Sequence, residues 1–289
     1  MPSELKGQVN SAEIGIQLGF KLLGPLEMRA GDRVSTLGGA RQRTLLAVLL
    51  LNHGRPLSVE QLCGQLWGEK LPATADNALQ AHIYRLRRTL QQLSQAAAGP
   101  QLLTRPFGYV LQLDGATVDV DVFRRSIARA RSVMRSDPVS AHALFEEALA
   151  LWQGEPLQDV LAEGGMCQNA ALELKEEYLA AVEDKLSLGI DIADPAPVIA
   201  ELKRMSTAYP WHERLTELLM LALYRAGRQA EAVETYNRAR RRLVDELGIE
   251  PSAQLRKRFH EILNQVPYAR GYTDARRRFA SSAAALRSP

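Results

Sequence analysis

The sequence predicts a mainly α protein with a small β portion, in which a mixed amino-terminal part precedes an all-α part. Three observations predict it. Apolar residues alternate with others at Ile14, Ile16, Leu18, Phe20 and Leu22, the two-residue period of a half-buried strand. Farther on, Leu79, Ile83, Leu86, Leu90 and Leu93 recur at steps of four and three, the period of one helix face. From about Val118 the chain becomes a series of amphipathic helical patterns separated by short breaks.

Composition agrees with a packed chain. The 289 residues are 46% hydrophobic and 24% charged, enough apolar side chain for a core and one or two domains. The longest apolar run, Leu45 to Leu51, is far short of the roughly 18 residues that read as a membrane-spanning helix. The opening MPSELKGQVNSAE lacks the apolar segment of a secretion signal, so a cytoplasmic location is expected. Cys63 and Cys167 lie far apart and the five histidines are scattered, which suggests neither a disulfide scaffold nor a metal site. Charge is unevenly spread. Residues 1–115 carry 12 Lys/Arg against 8 Asp/Glu, residues 116–266 carry 19 against 24, and residues 267–289 carry 5 against 1. A basic start and an acidic middle imply different partners.

In chain order, Gly24-Pro25 interrupts the first strand, Leu26-Glu27-Met28 forms a second, and Gly31-Asp32 turns into a third around Val34 to Leu37. A helix follows from about Arg41 to His53, stopped by Gly54. Ser58 with Gln61 three residues on has the spacing of a capping box, and the helix it starts ends near Trp67-Gly68. Thr74 is a good N-cap for a longer helix, ADNALQAHIYRLRRTLQQL. Opposite its apolar stripe lie Asn77, Ala81, Tyr84 and Arg88, flanked by Thr74, Gln80 and Arg85. Past Asp76 that face has no acid. Asn and Arg can read base edges in a major groove, and neighbouring bases can hold phosphates. In isolation such a face is more often merely solvated, so the flanking elements decide. Gln101 to Thr104 and Gly108 to Leu113 form a hairpin with Arg105-Pro106-Phe107 at its tip. Sheet, three helices and a terminal hairpin make a winged helix-turn-helix, whose third helix enters the major groove while the wing arginine reaches the minor groove.

The strings LWGE, NALQAHIYRLRRTL and TRPFGYVL resemble the OmpR/PhoB-type winged-helix domain over about Phe20 to Asp114. The resemblance implies base-reading positions at Asn77, Ala81 and Tyr84, and a minor-groove arginine at Arg105. Phosphate contacts are implied at Trp67, Arg85 and Arg87, and the helix face adds Thr74 and Arg88. Asn77 and Tyr84 stand where relatives often have arginine, so a different base sequence is implied. His82, at the edge of the apolar stripe, is expected to be half-buried and satisfied. Glu69, Lys70 and Leu71, in the loop beside the reading helix, are the implied polymerase contact.

The second segment reads as helix throughout, through VFRRSIARARSVM, DPVSAHALFEEALALW, LKEEYLAAVEDKL, PVIAELKRMSTAYP, RLTELLMLALYRAG and RQAEAVETYNRARRRLVDELG. Ala141-x-x-Leu144-Phe145-x-x-Ala148 and Ala232-x-x-Thr235-Tyr236-x-x-Ala239 share the small–aromatic–small spacing of tetratricopeptide hairpins. LFEEALALWQGEPLQDV and ALYRAGRQAEAVETYNRARRRLVDELGIEPSAQLRKRFHEIL are similar to the bacterial transcriptional activation domain of the Streptomyces antibiotic regulatory protein (SARP) family. Members of that family place it directly after an OmpR-type winged helix. No GxxxxGK[ST] occurs, so the chain resembles a small, stand-alone member. The expected organisation is a disordered start (1–13), a winged helix (14–115), a tetratricopeptide-like activation domain (116–266) and a basic disordered tail (267–289). A fragment ending near Asp114 is expected to form a complete core.

No convergent reactive set is present: HExxH, GxSxG and CxxC are absent, and Glu146-Glu147 and Glu176-Glu177 are neighbours whose side chains diverge by about 100° on a helix. No enzyme activity and no cofactor are expected. The resemblance implies a sequence-specific activator of a secondary-metabolite gene cluster in an actinomycete. Its implied partners are double-stranded DNA at promoter direct repeats and RNA polymerase with its sigma factor, bound as a homodimer or as tandem protomers. A different class, a helical-repeat adaptor whose winged helix makes only protein contacts, is separated from it by salt-dependent DNA binding.

Overall fold

The computed structural model describes residues 18–93, 99–161 and 165–267. The expected strand start at Ile14 and Ile16, the disordered start and all but the first residue of the basic tail lie outside them. Two compact units emerge: Met1–Phe123 with Leu151–Lys175, and Arg124–Ala150 with Glu176–Pro289. The first unit therefore takes in a stretch that the sequence assigned to the helical segment.

In the first unit, β1 (Leu18–Lys21), β2 (Glu27–Ala30) and β3 (Arg33–Ser35) pair antiparallel in order. Leu18, Phe20 and Met28 turn inward. The third strand ends before Leu37, which is buried although it lies outside the sheet. Helix α1 (Ala40–Leu51) follows, then β4 (Leu57–Ser58), α2 (Val59–Trp67) and α3 (Ala75–Leu93). The capping box is present in both halves: Gln61 N donates to Ser58 Oγ at 3.0 Å and Ser58 N donates to Gln61 Oε1 at 2.9 Å. Strands β5 (Gln101–Arg105) and β6 (Gly108–Gln112) form the terminal hairpin, with β4 added to β6 as a third strand. Helix α1 is buried nearly all round, from Leu45 to Leu50, because α2, α3 and β6 all pack on it.

Two features of this unit were not foreseen. β7 (Thr117–Val118) runs parallel to β1 and completes a four-stranded sheet. Directly after it, Asp119 opens α4 (Asp119–Val133) and turns its carboxylate inward. That carboxylate accepts from Leu22 N at 2.9 Å, Leu23 N at 3.0 Å and Val120 N at 2.8 Å. Burial raises its pKa above the usual carboxylate value even though these donors, and Lys21, pull the other way. The returning segment adds a second clasp. Gln153 N and Leu157 N donate to Leu23 O and Leu22 O, and Leu161 N donates to Thr44 Oγ1 at 2.8 Å. Asp159 accepts from Leu26 N at 2.9 Å and pairs with Arg43 at 3.0 Å. A fragment ending near Asp114 lacks all of these partners.

Among its described residues, the second unit has helices and no strand. α4 ends in it, and α5 (Pro138–Leu149), the carboxy-terminal part of α6 (Met166–Ile192), α7 (Pro195–Ala208), α8 (Glu213–Arg225), α9 (Gln229–Arg242) and α10 (Ala253–Leu263) follow. Helix α6 is longer at both ends than its LKEEYLAAVEDKL pattern. The final amphipathic string is broken: α9 passes into a π-helical turn, Leu243–Leu247, ended by left-handed Gly248. The small–aromatic–small sets pack inward at Ala141, Phe145 and Ala148 and at Ala232 and Tyr236. Tyr236 also stacks on Phe259 of α10, with ring centroids 3.9 Å apart. Glu217, only 4% exposed, accepts from Arg214, Gln254 and Arg258, a polar lock between α8 and α10.

Candidate nucleic-acid interface

Helix α3 separates its two faces cleanly. Leu79, Ile83, Leu86 and Leu90 are at most 2% exposed, while Asn77, Ala81, Tyr84, Arg85 and Arg88 are exposed and Tyr84 stands 67% free. Thr74 is exposed just before the first turn, its carbonyl accepting from Ala78 N. Neither Arg85 nor Arg88 has an ion-pair partner among the described residues. The helix thus presents an amide, a phenol and two unneutralised guanidinium groups on one side, supported by a fully apolar back.

Behind this face, His82 Nδ1 lies 2.8 Å from Gln42 Oε1 and Gln42 Nε2 donates to His82 O at 3.1 Å. An amide oxygen only accepts, so the imidazole carries its proton on Nδ1. Burial first, then the Arg85 and Arg41 charges, hold its pKa below the ordinary histidine value. His82 is therefore the half-buried, satisfied side chain expected. Trp67 is half-buried with its ring 6.2 Å from that of His82. Cys63 is buried, and burial followed by Asp76 pushes its thiol pKa up, which makes it unreactive.

The wing is built against the helix by Arg87. Its Nε donates to Leu102 O at 2.8 Å, its Nη2 donates to Thr104 Oγ1 at 2.7 Å, and its guanidinium lies 5.8 Å from the Tyr109 ring centre. The structure thus gives Arg87 an internal task that the phosphate-contacting position implied by resemblance does not require. Arg105 pairs with Gly108 across the hairpin, which leaves Pro106-Phe107 as a two-residue tip. Gly108 is obligatory: a Cβ there would lie 1.8 Å from Leu57 O, in the pairing of β4 with β6. Arg105 is exposed at the base of the tip. Phe107 beside it is 86% exposed, the most open large apolar side chain described. Sequence pattern gave no role to Phe107, since a hairpin tip has no periodicity to reveal one. In the loop between α2 and α3, Glu69, Lys70 and Leu71 are exposed, Leu71 by 54%.

Exposed polar helix, wing and apolar support together define a winged-helix transcriptional regulator, and the comparisons with known proteins agree. Residues 35–111 match the family described as "Transcriptional regulatory protein, C terminal", and residues 118–263 match "Bacterial transcriptional activator domain". The chain belongs to the Streptomyces antibiotic regulatory protein (SARP) family. It is 39% identical to the transcriptional regulator RedD of Streptomyces coelicolor over 86% of this chain and 71% of that protein. It is 34% identical to the regulatory protein DnrI of Streptomyces peucetius over 86% of this chain and 93% of that one. The regulatory protein AfsR of Streptomyces coelicolor is 38% identical over 86% of this chain, which covers 24% of AfsR. Among solved structures, Mycobacterium tuberculosis EmbR in complex with a low-affinity phosphopeptide aligns with a TM-score of 0.82 and 29% identity, covering 93% of this chain and 71% of that one. No described helix is long and apolar enough to cross a membrane.

Proposed function

We propose that this regulator is a cytoplasmic, sequence-specific activator that binds direct repeats near the promoters of a secondary-metabolite gene cluster. The observation that carries the proposal is the exposed face of α3, where Asn77, Ala81 and Tyr84 stand free of the core with Arg85 and Arg88 beside them. Inserted by its amino-terminal half, the helix brings Asn77 and, two turns on, Tyr84 to base edges. Arg85, Arg88 and Thr74 hold phosphates, with Trp67 at the edge of the contact. Arg87 fixes the wing so that Arg105 meets the minor groove. Two protomers in tandem occupy the repeats, and the loop with Glu69, Lys70 and Leu71 meets RNA polymerase and its sigma factor.

The test is binding-site selection with the full chain and its Asn77→Ala variant. Asn pairs bidentately with adenine, so the variant should lose about 1–3 kcal/mol of discrimination at one base position while its affinity for random DNA stays nearly unchanged. Unaltered preference at every position sinks the placement of α3. Equal, weak and salt-insensitive affinity for cognate and scrambled DNA instead supports the adaptor role, because phosphate contacts necessarily bring salt dependence.

A further inference from the structure

In the all-helical unit, a groove of about 290 Å³ opens between α7, α8 and α9. Its floor holds Thr216 and Leu219, both buried, and the Ser206 hydroxyl, which is buried without a hydrogen-bond partner. A buried donor left unpaired in a folded protein requires an explanation, and a bound group is one. The charged rim is divided. Glu231 is taken up by Lys203 at 3.2 Å and by Arg228 at 2.6 Å, while Glu234 pairs with Arg241 at 3.2 Å. Arg238 and Arg242 also line the groove, and neither has a hydrogen-bond or ion-pair partner among the described residues. Four residues apart on α9, they lie one above the other on the same face. Although the surrounding segment is acidic overall, its carboxylates here are already neutralised and two guanidinium groups are left over.

We propose that this groove binds a compact phosphate ester, held by Arg238 and Arg242 with the Ser206 hydroxyl as a further donor. Guanidinium forks match phosphate oxygens two at a time, and two of them balance a dianion. The volume is at the lower end of small-molecule sites, roughly 300–1,000 Å³, which suits a phosphorylated metabolite better than a nucleoside triphosphate. A regulator so equipped carries an input separate from its DNA-reading face.

Isothermal titration of the full chain at constant ionic strength tests this, with inorganic phosphate and glucose 6-phosphate as probes and glucose as control. Saturable binding of glucose 6-phosphate at one site per chain is expected, with none of glucose. Arg238→Gln/Arg242→Gln should weaken it at least about tenfold, as loss of charge-assisted hydrogen bonds requires. Arg125→Gln/Arg129→Gln, which removes equal charge from exposed positions on α4, should leave it within about twofold. Circular dichroism checks that both variants fold. No saturable binding by the wild type up to about 10 mM probe overturns the proposal. Equal weakening in both double variants overturns it as well, because diffuse attraction would then suffice. If Arg238→Gln/Arg242→Gln instead lowers the salt slope of DNA binding, the two arginines serve the DNA backbone and the proposal fails, while the role of α3 stands untouched.

Discussion

Replacing Asp119 is the most severe single change that the hydrogen bonding of the first unit foretells. Asp119→Ala leaves Leu22 N, Leu23 N and Val120 N without their acceptor at a residue only 8% exposed. Each stranded buried donor costs about 1–3 kcal/mol. Three of them, less the relieved burial of a charge and whatever water enters, give a loss of about 2–6 kcal/mol, against a typical total stability of about 5–15. Asp119→Asn keeps one acceptor oxygen and turns an amide NH2 toward the remaining donors, so about half that loss is expected. Urea denaturation of the full chain, followed by near-ultraviolet signals, measures both. A loss below about 1 kcal/mol for the alanine variant would refute the accounting. The sign with pH is fixed too. Since burial raises the folded pKa above the unfolded value of about 3.9, the folded state holds this proton more tightly. The contribution is fully present below that value and disappears as pH rises through the folded pKa. The stability gap between wild type and Asp119→Asn should therefore widen between pH 7 and pH 4. A gap that narrows would mean that the donors outweigh burial.

A chain cut after Asp114 should melt far earlier than one cut after Lys175, as measured by thermal circular dichroism, because β7, Asp119 and the clasp at residues 153–161 are missing; equal midpoints would contradict the division into units. Gly108→Ala forces a Cβ against Leu57 O, so β4 must part from β6 at a cost of about 1–3 kcal/mol or more, and an unshifted denaturation midpoint would show that the wing is built otherwise. Glu217→Ala should cost about 2–4 kcal/mol, since a buried acceptor of three donors is lost while Arg258 keeps Glu261 at 2.6 Å. Double-mutant cycles with Arg258→Ala check it, and a coupling near zero would assign the packing of α10 to Tyr236 and Phe259 alone.

Local features were legible in the sequence because each rests on neighbours a few residues away. The stripe of α3, the capping box at Ser58 and the half-buried His82 all follow from helix geometry and hydrogen-bonding chemistry. Features fixed by distant partners were not. Asp119 stands just ahead of the amphipathic string VFRRSIARARSVM, and its bonds to residues 96 and 97 positions earlier leave no periodic trace. The strand β4 is two residues long, and its pairing depends on the glycine of the opposite strand. At Arg87 the residue type signalled charge on a helix face, whereas its bonds to Leu102 O and Thr104 Oγ1 on β5 depend on a strand 15 to 17 residues away. The break in α9 at Leu243 lay inside an amphipathic pattern that continued across it.

The bond from Leu26 N to Asp159 joins residues 133 positions apart, and that spacing governs when the DNA-reading half can be completed during synthesis. At roughly 5–20 residues per second, the ribosome has finished the wing about 2–10 seconds before the segment that clasps the first sheet emerges. In the interval Leu26 N lacks its acceptor, Leu22 O and Leu23 O lack their donors, and the loop to be closed is long. A nascent chain therefore reaches its full regulator fold only after α4 and α5 have also left the exit tunnel. Moving the winged helix onto another protein by cutting at its apparent end would separate it from the segment that finishes it, so a working graft must carry the chain through to the first turns of α6.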